Sequence, residues 1–274
     1  MTRIIARFLA LVIFLGGSIP IQAKETDVLE LVARGDYPAA LKLAMPMAER
    51  GDARAQFVLY ILFSRGLSVG KDDAESIRWL VVSAQSGLPE AQVMLGIAYL
   101  EGMHGVLADE QKGLAWLEKA ANGGNSMAQL VLGKWHDERP DGSGAREALT
   151  WYGKAAEQGL GLAQYELGMI YAEGDGVSVN HKQAVSWYEK AAASGVVGAQ
   201  YNLGIALRDG IGAPQNFVLA HMWLNVAGSS GSSADADSAR NARDRIAGKM
   251  TPSQVQESQK LAQQCLTSKF KQCG

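Results

Sequence analysis

The residues whose types could carry chemistry are few: four histidines, two cysteines and one serine–lysine pair in a chain of 274 residues. Ser68 and Lys71 form an S-x-x-K, "SVGK", in which a lysine one turn after a serine could take its proton for acyl transfer. That chemistry needs the serine at the start of a helix, with S-D-N and K-T-G partners beside it. Here the pair falls in a glycine-containing loop, and neither partner motif occurs. "DGSGA" at 141–145 lacks the first glycine of a nucleophile elbow. The histidines show no H-E-x-x-H and no metal-ligand spacing. Asp72 and Asp73 fall at a helix start, where acids favour the helix dipole. No catalytic residue, metal or cofactor is expected.

The elements that position these residues come in copies. "AQVMLG" at 91–96, "AQLVLG" at 128–133, "AQYELG" at 163–168 and "AQYNLG" at 199–204 recur, with a degenerate "AQFVLY" at 55–60. Ala55, Ala91, Ala128, Ala163 and Ala199 stand 36, 37, 35 and 36 residues apart, and Trp79, Trp116, Trp151, Trp187 and Trp223 move in step. Such periods mark a helical solenoid. Each unit reads as two helices. The first carries Ala, Leu and often Tyr at four-residue spacing, as in Ala163, Leu167 and Tyr171, which is one helical face. The second, such as "AVSWYEKAAASG" at 184–195, ends on a glycine suited to a left-handed cap. From their unit's alanine, His136, His104, His181 and His221 stand at +8, +13, +18 and +22. Stacked repeats bring equal phases together, so these four should not converge.

Gly96, Gly133, Gly168 and Gly204 share a phase inside the first helix. Recurring helical glycine signals close backbone approach, here by the second helix of the unit or its tryptophan. Tyr60 replaces glycine in the first unit, whose helices should sit farther apart or repack. An incomplete unit precedes it, with Pro38 suited to a first helical position. Pro46 falls mid-helix and should kink it. Beyond Ser230 the period stops. Helices are expected at about 234–248 and 252–268, capping the last repeat. Ser232 with Asp235 is one capping box; Thr251, Pro252 and Gln254 form a better one.

The N-terminus reads as a secretory signal: Arg3 and Arg7, an apolar run at 8–17, Pro20, then Ala23 as the expected cleavage position. Ten apolar residues are too short for a bilayer helix, which needs about 20. An uncleaved membrane anchor is the alternative. Removing 1–23 leaves 251 residues with 24 basic and 28 acidic side chains. That balance argues against nucleic acid, which demands a clustered basic face. In an exported, oxidising compartment Cys265 and Cys273 are a disulfide candidate pinning the tail to the last helix. The localisation expected is periplasmic or secreted, with no integral membrane segment after cleavage.

"AQYELGMIYAEGDGV" and "QAVSWYEKAAASG" resemble the Sel1-like repeat, a relative of the tetratricopeptide repeat. The resemblance covers about 27–230 and departs at "WHDERPDGSGA" in repeat three. It implies an all-α, right-handed superhelical solenoid of helix-turn-helix units with C-terminal capping helices. The divisions expected are a signal peptide at 1–23 and a partial repeat at 24–50. Five repeats then follow at 51–86, 87–123, 124–158, 159–194 and 195–230, with capping helices and a cysteine-containing tail at 231–274.

The resemblance further implies a non-catalytic adaptor for another envelope or secreted protein, in envelope signalling or export. Two alternatives stand beside it. One is a protein that binds or hydrolyses cell-wall peptides or β-lactams; the other is a structural part of a polysaccharide export or secretion assembly. In related solenoids the first helices line a concave groove. That places Met94, Ile97, Lys134, Trp135, Glu166, Met169, Asn202 and Ile205 as binding candidates. Their apolar floor and acidic edge would suit a basic, partly apolar segment. The plainer alternative is packing between adjacent first helices. Trp135, out of phase with the other tryptophans, is either a groove anchor or a substitute for the missing tyrosine of repeat three.

Overall fold

The computed structural model describes residues 28–139, 141–231 and 233–273, and its elements are all helices among those residues. The signal peptide expected at 1–23, with cleavage after Ala23, lies outside them. The helices are α1 (Val28–Ala33), α2 (Tyr37–Glu49), α3 (Ala53–Arg65), α4 (Asp73–Gln85), α5 (Pro89–Glu101), α6 (Glu110–Asn122) and α7 (Ser126–Asp137). They continue as α8 (Ala145–Glu157), α9 (Gly161–Glu173), α10 (His181–Ala193), α11 (Val197–Asp209), α12 (Phe217–Gly228), α13 (Ala234–Ala247) and α14 (Pro252–Thr267). They form two compact units, one ending at Ala128 and the other beginning at Gln129.

Helix ends follow from local chemistry. Asp52, Asp72, Asp109, Asn180 and Asn216 cap α3, α4, α6, α10 and α12 by accepting a backbone N–H from three residues on. Each satisfies a donor that the first turn leaves without an intrahelical partner. α9 stops at Gly174, φ 82°, and α10 is followed by Gly195, φ 83°. Both lie in the left-handed region that glycine enters without cost. Thr251 and Gln254 form the expected capping box on α14. The cap of α13 is Ser233, which accepts from Ala236 N, one residue later than the expected box. α2 continues through Pro46, which is exposed.

The glycine phase is explained by side chains of the second helix. A Cβ at Gly168 would lie 2.5 Å from Tyr188 Cδ1, and one at Gly133 would lie 2.5 Å from Tyr152 Cδ1. Gly96 and Gly204 likewise face Leu117 and Leu224, at 2.7 Å. The neighbour is therefore the residue after each tryptophan, not the tryptophan. The indoles of repeats two to four turn outward, where Lys119, Lys154 and Lys190 lie over Trp116, Trp151 and Trp187 at 4.9, 4.1 and 3.8 Å from the ring centroids, whereas Trp79 and Trp223 are buried. Repeat one repacks. Tyr60 is buried beside Phe57, with ring centroids 5.5 Å apart, and its hydroxyl lies 3.4 Å from His104 Nε2.

The glutamine of four of the five "AQ" pairs ties one repeat to the preceding one. Gln56, Gln92, Gln164 and Gln200 are buried, and their Nε2 atoms donate to the carbonyls of Ala48, Ala84, Ala156 and Ala192 at 3.1–3.2 Å. Those carbonyls sit in the last turn of the preceding second helix, where they also accept the N–H groups of Gly51, Gly87, Gly159 and Gly195. A buried hydrogen bond of this kind contributes about 1 kcal/mol net.

α13 and α14 both pack on α12, and Ala239, Ile246, Ala262 and Cys265 join the core of the last two repeats. Cys265 and Cys273 are joined in a disulfide. The tail it closes places the Phe270 ring against Gly195.

Candidate functional site

The serine–lysine pair does not form a nucleophile. Ser68 lies in the loop before α4 with φ 60°, and Lys71 Nζ is 3.3 Å from Asp73 Oδ2. His104 lies between Tyr60 and Asp73, 3.4 Å from each, and links the loop of repeat two to repeat one. The four histidines take up separate local partners or surfaces, and among the described residues no three His, Cys, Asp or Glu form a metal-binding group.

One serine–histidine pair has the spacing of a nucleophile and its base. Ser258 Oγ on α14 is 2.8 Å from His221 Nδ1 on α12. Both are buried, at 0% and 3% exposure, which leaves no face for a substrate. Ser258 donates its own hydrogen to Val255 O at 2.7 Å, so it accepts from Nδ1–H and fixes the neutral tautomer. The pair fastens the cap to the last repeat. The 37 residues between them hide it from motif reading.

The groove candidates divide. In the first unit Ile97 is only 2% exposed, and Met94 is half-buried against the core formed with Leu59 and Leu95. Ile97 is thus a correction: its branched side chain fills the interior and offers a partner no surface. In the second unit Lys134, Trp135, Glu166, Met169, Asn202 and Ile205 are all half-buried. Trp135 is engaged within its own repeat, edge-on to His136 at 4.8 Å and under the Arg139 guanidinium at 4.5 Å. His136 stands at the phase where repeats two and four carry tyrosine, Tyr99 and Tyr171.

Glu166 faces Lys134, Asp137 and Glu138. Burial pushes its carboxyl above the usual range; Lys134 opposes this, and the two acids add to it. Asp137 is raised likewise, by burial and then by Asp175, although it accepts the Tyr152 hydroxyl at 3.4 Å. This face of α7 and α9 therefore carries more negative charge than its single lysine balances.

Met169, Asn202 and Ile205 come together. They line a cavity of about 300 Å³ between α9, α10 and α11, with Glu173, Tyr188, Tyr201 and Ile211. The Tyr188 hydroxyl and Asn202 Nδ2 both donate to Met169 Sδ, at 3.5 and 3.3 Å. Burial raises Tyr188 to about 12; a hydrogen bond from Asn202 opposes this, and Tyr165, Glu173 and Glu166 add to the rise. Sequence reading missed Tyr188, because it lies on the second helix beside a landmark tryptophan. It missed Ile211 because that residue stands in a loop.

Helix pairs repeated every 35–37 residues, locked by glycine contacts and glutamine bonds, define a class of scaffold: the α-helical solenoid of helix-turn-helix repeats. The Sel1 repeat model matches at 53–88, 89–125, 126–160, 161–196 and 197–232, and the chain belongs to the Sel1 repeat family. Sel1 repeat proteins are in general scaffolds for protein–protein interaction. Among solved structures, the chain is similar to c5321, a protective antigen present in uropathogenic Escherichia coli strains. The identity is 28% and the TM-score 0.75, over 88% of this chain and 53% of that one. The chain thus spans about half the length of that antigen. It is also similar to a Sel1 repeat protein from Oxalobacter formigenes, at 26% identity and a TM-score of 0.68 over 86% of this chain and 94% of that one. No curated protein sequence matches.

Proposed function

We propose that the chain is an exported, non-catalytic adaptor that holds a segment of another envelope or secreted protein against the first helices of its second unit. A regulator holding the extracytoplasmic part of a sensor is one form of it. The observation that carries this reading is the cavity at Met169, Asn202 and Ile205, where half-buried apolar and amide groups meet an acidic face. Of the residues of equal phase in the first unit, Val58 and Ile97 are core, and Ile61 and Met94 are half-buried. Export is supported by the Cys265–Cys273 disulfide, since such bonds persist in oxidising compartments. Among the described residues no helix is long and apolar enough to cross a membrane. The division proposed is a signal at 1–23, a partial repeat at 24–50, five repeats over 51–230 and a cap at 231–274.

The test is capture in the native host. The mature form, tagged and cross-linked in the envelope, should retain one enriched protein, and Met169→Lys with Ile205→Lys should lose it while keeping a native circular dichroism spectrum. An exported wild type that retains no specific protein would overturn the adaptor reading.

A further inference from the structure

The cavity between α9, α10 and α11 has features that go beyond a general contact surface. Its polar donors are only partly used. The Tyr188 hydroxyl and an Asn202 N–H are directed at the Met169 thioether, a weak acceptor, while Asn202 also hydrogen-bonds the Tyr165 and Tyr188 hydroxyls. A peptide carbonyl is a stronger one, so both donors gain when a backbone oxygen arrives.

The carboxylate at the mouth has no salt-bridge partner. Among the described residues Glu173 forms no ion pair, although His181 also lines the cavity, and the field of Glu173 acts on Tyr188. Asp209 holds the same phase one repeat later, and there Arg208 neutralises it at 2.6 Å. The mouth also exposes a large apolar group, since Ile211 is 46% exposed. A long aliphatic stem ending in a cation matches apolar walls with a carboxylate at the rim.

We propose that this cavity seats one lysine or arginine side chain of an extended partner segment, whose main-chain carbonyl is taken by Asn202 and Tyr188. The stem lies along Met169, Ile205 and Ile211, and the cation reaches Glu173. This rests on the adaptor reading above and specifies the chemistry of the partner.

The experiment uses the mature chain labelled with 13C at its methionine methyls, with the Met169 signal identified by Met169→Leu. The probes are two end-capped peptides, Ser-Leu-Lys-Leu-Ser and Ser-Leu-Glu-Leu-Ser. The lysine peptide should move the Met169 methyl to saturation, and the glutamate peptide should bind about tenfold more weakly or worse. Glu173→Gln should weaken the lysine peptide about threefold or more and leave the glutamate peptide no weaker. Asn202→Ala should weaken both. Equal affinity of the two peptides, or a Met169 methyl unmoved at millimolar lysine peptide, would overturn the proposal. The envelope capture separates the two readings. A partner kept by Glu173→Lys but lost by Met169→Lys with Ile205→Lys leaves the adaptor standing and removes the lysine seat. A wild type that holds nothing removes the adaptor itself.

Discussion

Glycine costs a helix roughly 1 kcal/mol against alanine, yet two helical glycines, one in repeat three and one in repeat four, have opposite standing. Gly168 faces the Tyr188 ring at a distance no methyl could share. Gly153, in α8, has nothing within 4 Å of where its Cβ would be. Gly153→Ala should therefore stabilise the protein by about 0.5–1 kcal/mol through backbone entropy. Gly168→Ala should destabilise it by about 1–3 kcal/mol through overpacking, despite the same gain in propensity. Urea unfolding of the two variants checks both signs. The repetition of glycine at one phase predicted close approach correctly. It could not say which of two adjacent residues on the second helix makes the approach, because neighbours on a helix differ by about 100° in direction.

At the scale of elements, the cap is held by groups that respond to pH. His221 is buried between α12 and α14, and burial lowers its pKa; Arg243 adds to the lowering and Asp244 opposes it. A base with a depressed folded-state pKa stabilises the fold in its neutral form. That stability is complete above the unfolded value, about 6.5, and is lost as pH falls from there towards the folded value. Glu166 has the opposite sign: its raised pKa is a penalty at neutral pH that acid relieves. The His221 contribution is isolated by comparing wild type with His221→Gln. Thermal melts at pH 7.5 and 5.5 should show a smaller acid-induced drop in Tm for the variant. An equal drop in both would mean that the cap does not sense this proton. The helices of the cap and the box at Thr251 were legible in the sequence, since capping chemistry is local. The histidine that meets Ser258 was not, because contact across 37 residues leaves no local mark.

For the molecule as a whole, a repeat array needs closed ends. α12 buries Met222, Trp223, Leu224 and Val226, and α13 and α14 cover that helix. A chain ended at Ser230 should expose this face and self-associate, read as a concentration-dependent shift in size-exclusion elution. A monodisperse, stable truncated chain would show that the cap serves something other than closure.

The sequence by itself determined the repeat period, the helix pair within each unit, the capped ends and the disulfide partners. Those depend on spacing, phase and local hydrogen bonds, which are written along the chain. Only the tertiary structure decided which groove candidates are available to a partner. Ile97 and Ile205 share a phase, yet one fills a core and the other lines a cavity. Phase sets the direction of a side chain from its helix. Burial depends on the volumes of the residues it meets on other helices, and those sizes change from repeat to repeat while the period does not.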